Sequence, residues 1–326
     1  MRQISIHMML CWSLTAASVA CGEEPQMVTP HDIRTVVADD KHNAFTAMVR
    51  WKDAYWLSFR TASDHGSLDG DLVVLRSTSA DVWSEVLRLD IVPDDRDPQF
   101  LATPDRLFLY DPGRDGGTLK SFVVHTDDGT TWSEPRQVYE TQFIFWKPVA
   151  HQNKFYATAH ISSSDGTKRK SHLITSLDGI HWEKISQIRA GVWESETTLH
   201  FTDDEKIIVF LRQISGSPSS AILESSPPYS QWKNRPSSGL YLAGHAAYTF
   251  DGVTYLFSRS SIGDKSGTRV YVYENETLIP YCDIPSGGDC SYPAAVRSGH
   301  EMLVSYYSSH EGMANIYTCR IPLRGP

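Results

Sequence analysis

The side chains that could do chemistry lie among strand-like runs rather than in one compact motif. Glu194 and Glu196 are two residues apart, so an extended backbone puts both on one face. Two carboxylates on the buried face of a strand are costly unless partnered or used. Arg212 closes the apolar run Ile207, Ile208, Val209, Phe210, Leu211. A charge there is either solvated at the strand end or poised in a cavity. Asp97 precedes Pro98, Lys147 stands between Trp146 and Pro148, and Asp64 adjoins His65. Glu311 lies between His310 and Gly312, while His245 and Tyr292 each stand near the start of a strand-like segment. Acid–base exchange and anion binding are open to such a set. Each member also has a structural reading, as a turn acid, a solvated loop residue or a core side chain. The 13 histidines form no HExxH and the cysteines no CxxC, so neither a catalytic metal nor another cofactor is expected.

Elements that could position these groups are all short. The 326 residues are 40% hydrophobic and 11% aromatic, which excludes a disordered chain. A formal charge of -9 and a pI near 5.8 argue against a nucleic-acid partner. No apolar run reaches the roughly 18 residues of a membrane span. At the N-terminus Arg2 precedes apolar residues 4–14, a small-residue stretch 16–20, and Cys21. This resembles a bacterial lipoprotein leader, with 1–20 removed, Cys21 lipidated and 21–32 a tether. Ser18 stands where leucine is usual, which leaves plain signal cleavage as the alternative. Either reading exports the chain. The lipid reading places it in the cell envelope, anchored to a membrane by acyl chains alone. Beyond Cys21 the thiols are Cys282, Cys290 and Cys319. Either Cys282 pairs with Cys290 across a short loop, or all three are buried and free.

A repeat sets the architecture. Trp83, Trp132, Trp182 and Trp232 are spaced by 49, 50 and 50 residues. Residues 126–132 and 176–182 read S/T-x-D-G-x-x-W, in which hydroxyl and carboxylate bond backbone N–H groups, glycine takes positive φ and tryptophan packs beneath. These are Asp-box motifs, with degenerate copies at 77–83 and 225–232. Between them short strands alternate with polar turns, and no sustained helical period occurs. Units begin near His42, Asp97, Phe145, Glu194, Gly244 and Cys290. The sixth has three clear strands, at 294–296, 302–307 and 315–320, and residues 33–37 supply its fourth. The expectation is an all-β, six-bladed β-propeller of four-stranded antiparallel blades over 33–326, closed by an N-terminal strand.

Asp boxes on six blades resemble the sialidase superfamily. The resemblance covers most of the chain after about residue 40. Sialidases carry a glutamate 16 residues before an arginine, and Glu196 and Arg212 repeat that spacing. Asp289, Cys290, Ser291, Tyr292 and Pro293 are similar to the segment bearing the family's nucleophilic tyrosine. Asp95, Arg96, Asp97 and Pro98 resemble a stretch whose aspartate lines the pocket. The resemblance implies Tyr292 as nucleophile, Glu196 as its base and Arg212 as one carboxylate clamp. A sialic acid carries its carboxylate on the anomeric carbon, so a neutral phenol avoids the repulsion that an anionic nucleophile would meet.

Two family features are altered. The first clamp arginine is absent from blade one, which begins His42, Asn43, Ala44, Phe45, Thr46. Where an acidic aspartate would follow an arginine by five or six residues, Arg60 is followed by Asp64, His65 and Gly66. His65, with Asp64 beside it, is therefore the expected proton donor. Further substrate contacts are expected from Arg60, Arg269, Arg259, Asp97, Lys147, His245, Asp289 and Glu311. The leading expectation is an exported, monomeric exo-glycosidase for a terminal, acidic sugar. A non-catalytic glycan-binding propeller is the alternative, and a polysaccharide lyase a third.

Overall fold

The computed structural model describes residues 27–161, 169–191, 194–214, 220–236 and 239–325. The leader segment, Cys21 and the first half of the tether lie outside the described residues. The remainder is a six-bladed β-propeller with antiparallel pairing within every blade. Blade one runs His42–Trp51, Ala54–Ala62, Asp71–Ser77 and Ser84–Leu89, from the axis outward. Blades three, four and five repeat this order from Phe143, Glu194 and Ala246. In blade six Cys290–Ser298, Glu301–Ser308 and Asn315–Pro322 are completed by His31–Val37, so the two chain ends share one sheet.

The core is divided among the blade interfaces, because each sheet has two faces to bury and, among the described residues, no helix to cover them. Apolar clusters fill the six spaces between neighbouring blades. The repeating tryptophans find their use there. Trp132 packs with Trp51 and Trp56 of blade one, Trp182 with Phe108 and Tyr110 of blade two, and Trp232 in the cluster of Tyr156 and Leu173 of blade three. Each arrives on a tight turn. In the turn at 126–131, Asp128 Oδ1 accepts from the amides of Thr130 and Thr131 at 2.8 Å, and Thr126 Oγ1 accepts from Gly129 N at 2.8 Å. Asp178 and Ser176 do the same for residues 179–181. Gly129 and Gly179 supply the left-handed backbone, with φ of +82° and +75°. Cys282, Cys290 and Cys319 are buried free thiols, which decides between the two alternatives for them.

The innermost strands are irregular at one level. Pairing slips between Ala44 and Ala47, Trp146 and Val149, Glu194 and Thr197, and Ser291 and Ala294. Blade two breaks its inner strand into Asp94–Asp95 and Gln99–Ala102. At these slips Phe45, Asp97, Lys147 and Tyr292 adopt positive φ, between +43° and +59°. A bulge of this kind bends the strand and re-aims a side chain, at a cost of order 1–3 kcal/mol for a non-glycine residue. Below that level the inner strands wall an axial cavity of about 500 Å³, with Met48, Phe100, Leu101 and Tyr248 among its lining.

Candidate functional site

The bulges bring three expected residues together. Tyr292 OH donates to Glu196 Oε1 at 2.6 Å, joining blade six to blade four. Arg212 Nη1 donates to both oxygens of Glu196, at 2.7 and 3.0 Å, and its Nη2 to Tyr241 OH at 2.9 Å. The strand pairing carries Arg212 back to the level of Glu196, since Glu194 opposes Gln213 and Thr197 opposes Leu211. Burial pushes the Glu196 carboxyl up, but Arg212, His160 and the Tyr292 hydrogen bond outweigh it and hold the group well below the usual range. Tyr292 is pushed well above the ordinary phenol value by burial, then by Glu196 and Asp97. At neutral pH the pair is therefore a phenol hydrogen-bonded to a carboxylate.

Other expected residues surround this pair. Lys147 lies on the axis, its ammonium 5.7 Å from the Trp146 ring, and burial lowers its pKa to about 8 against the opposing pull of Asp97. His245 is fully buried, joined through Nε2 to Phe210 O at 2.7 Å and kept neutral by burial, with a pKa near 4. Asp97 is 9% exposed, with Oδ1 buried and unpartnered among the described residues. Asp289 is a hub: Oδ2 contacts His65 Nδ1 at 2.6 Å and His42 Nε2 at 2.8 Å, while Oδ1 accepts from Tyr307 OH at 2.7 Å and Arg259 Nη2 at 3.3 Å. Arg259 also holds Cys290 O, at 2.9 Å from Nε and 2.6 Å from Nη2. His42, His65 and Asp289 form the one three-residue group among the described residues with metal-binding composition. Their contacts of 2.6–2.8 Å are hydrogen-bond distances. Two donors on one tetrahedral ion would stand about 3.3 Å apart at the usual zinc bond lengths.

Four expected residues are spent elsewhere. Arg60 is fully buried and turned into its own loop, donating to Asp94 Oδ1 at 2.9 Å, Asp64 O at 3.0 Å and Ser67 O at 2.8 Å. It shapes the loop that carries His65 instead of facing the pocket. Asp64 accepts from Gly66 N at 2.9 Å as a turn acid. Arg269 grips Asp283 with two contacts, at 2.5 and 2.8 Å, on the outer strands of blade five. Glu311 accepts from Tyr317 OH at 2.7 Å in a blade-six turn.

Sequence reasoning missed other contributors. Phe45 occupies the blade-one position on the axis, its ring centroid 4.9 Å from Tyr292 and 5.3 Å from His65. Arg169 has Nε and Nη1 buried without partners among the described residues, and Glu196 and Arg212 are the charges it feels most. No motif flags either residue; only the ring geometry brings them in.

No family model and no curated protein matches this sequence. Solved structures do match. A Dyadobacter fermentans protein of unknown function superposes with a TM-score of 0.79 at 18% identity, over 90% of this chain and 99% of that one. Trypanosoma rangeli sialidase gives 0.70 at 12% identity over 92% of this chain, which spans 58% of the sialidase. An α-L-arabinofuranosidase from Fusarium graminearum, solved with an iminosugar inhibitor, gives 0.64 at 12% identity, over 86% and 93% of the two chains. The shared property at these identities is the propeller fold, which in two of the three carries glycosidase activity.

Proposed function

We propose that this propeller is a glycoside hydrolase in which Tyr292 attacks the anomeric carbon and Glu196 takes the phenolic proton. The observation that carries the reading is the 2.6 Å hydrogen bond between Tyr292 and Glu196 at the ring axis. A phenol far above its usual pKa is a poor nucleophile unless its proton leaves as the new bond forms, and an ionised carboxylate already accepting that hydrogen is the required base. Arg212 holds that carboxylate in place, and removing one partner of such a buried pair typically costs about 3–5 kcal/mol. The same class of step fits the T. rangeli sialidase, which has been solved as a covalent intermediate with 2,3-difluorosialic acid. Lys147 and Arg169, which have no acidic partner within ion-pair distance among the described residues, favour a terminal sugar bearing negative charge. With the leader read as above, the enzyme works outside the cytoplasm on a lipid tether, and the mass of the mature N-terminal peptide tests that.

A binding module without catalysis is the second reading. Arg60 is locked in its loop and Phe45 stands where a clamp would be, so among the described residues no blade-one arginine is offered to the pocket. A panel of aryl glycosides of neutral and acidic sugars separates the two. Turnover by the mature protein that falls at least 1,000-fold in Tyr292→Phe supports the hydrolase. Glycan binding by calorimetry with no turnover, or turnover indifferent to Tyr292→Phe, replaces it.

A further inference from the structure

A glycosidase needs a proton for the leaving oxygen, and the donor must reach the side of the anomeric carbon opposite the nucleophile. His65 was the expected donor. Its side chain is half exposed, its Nδ1 is committed to Asp289, and the Phe45 ring packs against both it and Tyr292. Asp97 lies near both members of the pair: it interacts electrostatically with Glu196 and with the Tyr292 phenol. It occupies the gap in the inner strand of blade two, at φ +49°, on the level at which the other bulges present Lys147 and Tyr292.

We propose that Asp97 is the general acid of this site, a role that rests on the Tyr292 reading above. Arg96, the neighbour best able to ionise it, is drawn away to Asp94 Oδ2 at 3.0 Å and His65 O at 3.2 Å. The charged groups facing Asp97 are Arg96, Arg114 and Arg60 from blades one and two, Lys147 from blade three, Glu196 from blade four and the Tyr292 phenol from blade six. Burial dominates, Arg96 opposes it, Glu196 reinforces it, and the carboxyl is held above its ordinary value. A desolvated carboxylic acid across from an ionised partner is the pairing that divides acid from base.

The step balances. Tyr292 Oη bonds to the anomeric carbon while Glu196 takes its proton. The bond to the leaving oxygen breaks, and Asp97 gives that oxygen its proton, releasing an alcohol and leaving an aspartate. Water then attacks the same carbon and yields a proton to Asp97. The carbon–Tyr292 bond breaks, and the phenolate recovers its proton from Glu196.

The test compares phenyl with 4-nitrophenyl glycosides of glucuronic acid and N-acetylneuraminic acid, using the mature protein, Asp97→Asn, His65→Gln and Tyr292→Phe. The expected result for Asp97→Asn is a loss in kcat/KM of about 100-fold or more on the phenyl glycoside, but under 10-fold on the activated one. Azide should restore part of the turnover, and the alkaline limb of the pH profile should vanish. A leaving-group-selective loss in His65→Gln, or equal losses on both glycosides in Asp97→Asn, overturns the assignment while leaving Tyr292 in place. Absence of Tyr292-dependent turnover overturns both.

Discussion

Asp111 lies in the second strand of blade two, 1% exposed, with neither carboxyl oxygen hydrogen-bonded among the described residues. Burial pushes its pKa well up, and Asp95 beside it pushes further. Asp95 is itself raised to about 7, by burial against the pull of the Ile91 and Val92 amides. Both folded values stand above those of the unfolded chain, so the unfolded state releases these protons first. Their stabilising contribution is complete below about pH 4; that of Asp95 is lost as pH climbs through 7, and that of Asp111 as it climbs through its own raised value. Asp111→Asn should match the parent near pH 4.5 and exceed it by about 1–3 kcal/mol at pH 8; urea unfolding at the two pH values measures this. A gain of equal size at both would mean that the carboxyl's charge is not the cause. At this scale the sequence was legible where spacing carried information. The interval of 16 residues between Glu196 and Arg212 returns the chain across one hairpin to the same level, and the ion pair follows. Arg60 was misleading because the direction of its side chain depends on Asp94, 34 residues away, which no local pattern reveals.

Strand alternation was readable along most of each blade, and the bulges were not. A slip in pairing has little composition of its own, although a proline sits at three of them, Pro98, Pro148 and Pro293. Yet these irregularities present the reactive groups. Gly244 shows what one of them requires. A β-carbon on Gly244 would lie 2.4 Å from Tyr292 Cδ2, and φ there is +51°. Tyr292 N and Ser291 Oγ both donate to Gly244 O, at 3.1 and 3.3 Å, so the two inner strands are stitched where the ring is seated. Gly244→Ala must strain the backbone and push the phenol off Glu196. The expected cost is about 1–3 kcal/mol of stability, with kcat falling at least 10-fold and KM changing less. Thermal unfolding and steady-state kinetics check the two halves. A variant that keeps full kcat would show that the Tyr292 seat is not needed.

The ring was the most legible level of all, because four tryptophans at near-constant spacing report one packing solution reused between successive blades. Its closure was legible too: residues 33–37 were expected to complete blade six, and His31–Val37 does so. That strand is mostly exposed on its outer face, and its ties include Arg34 to Asp32 and Asp81, Arg320 to Asp32, and His31 to Glu301. Deleting everything through Val37 should lower the unfolding midpoint by at least about 5 °C. It should also leave Asn315–Pro322 as an open edge that promotes self-association. Calorimetry and size-exclusion chromatography read those effects, and an unchanged midpoint would deny the strand its role. The arrangement also has a consequence in time. A ribosome makes residues 31–37 long before residues 315–322, so the earlier strand must wait for a partner that does not yet exist. Five blades can form while the chain is still growing, but the circle can shut only once residues 315–322 have been made.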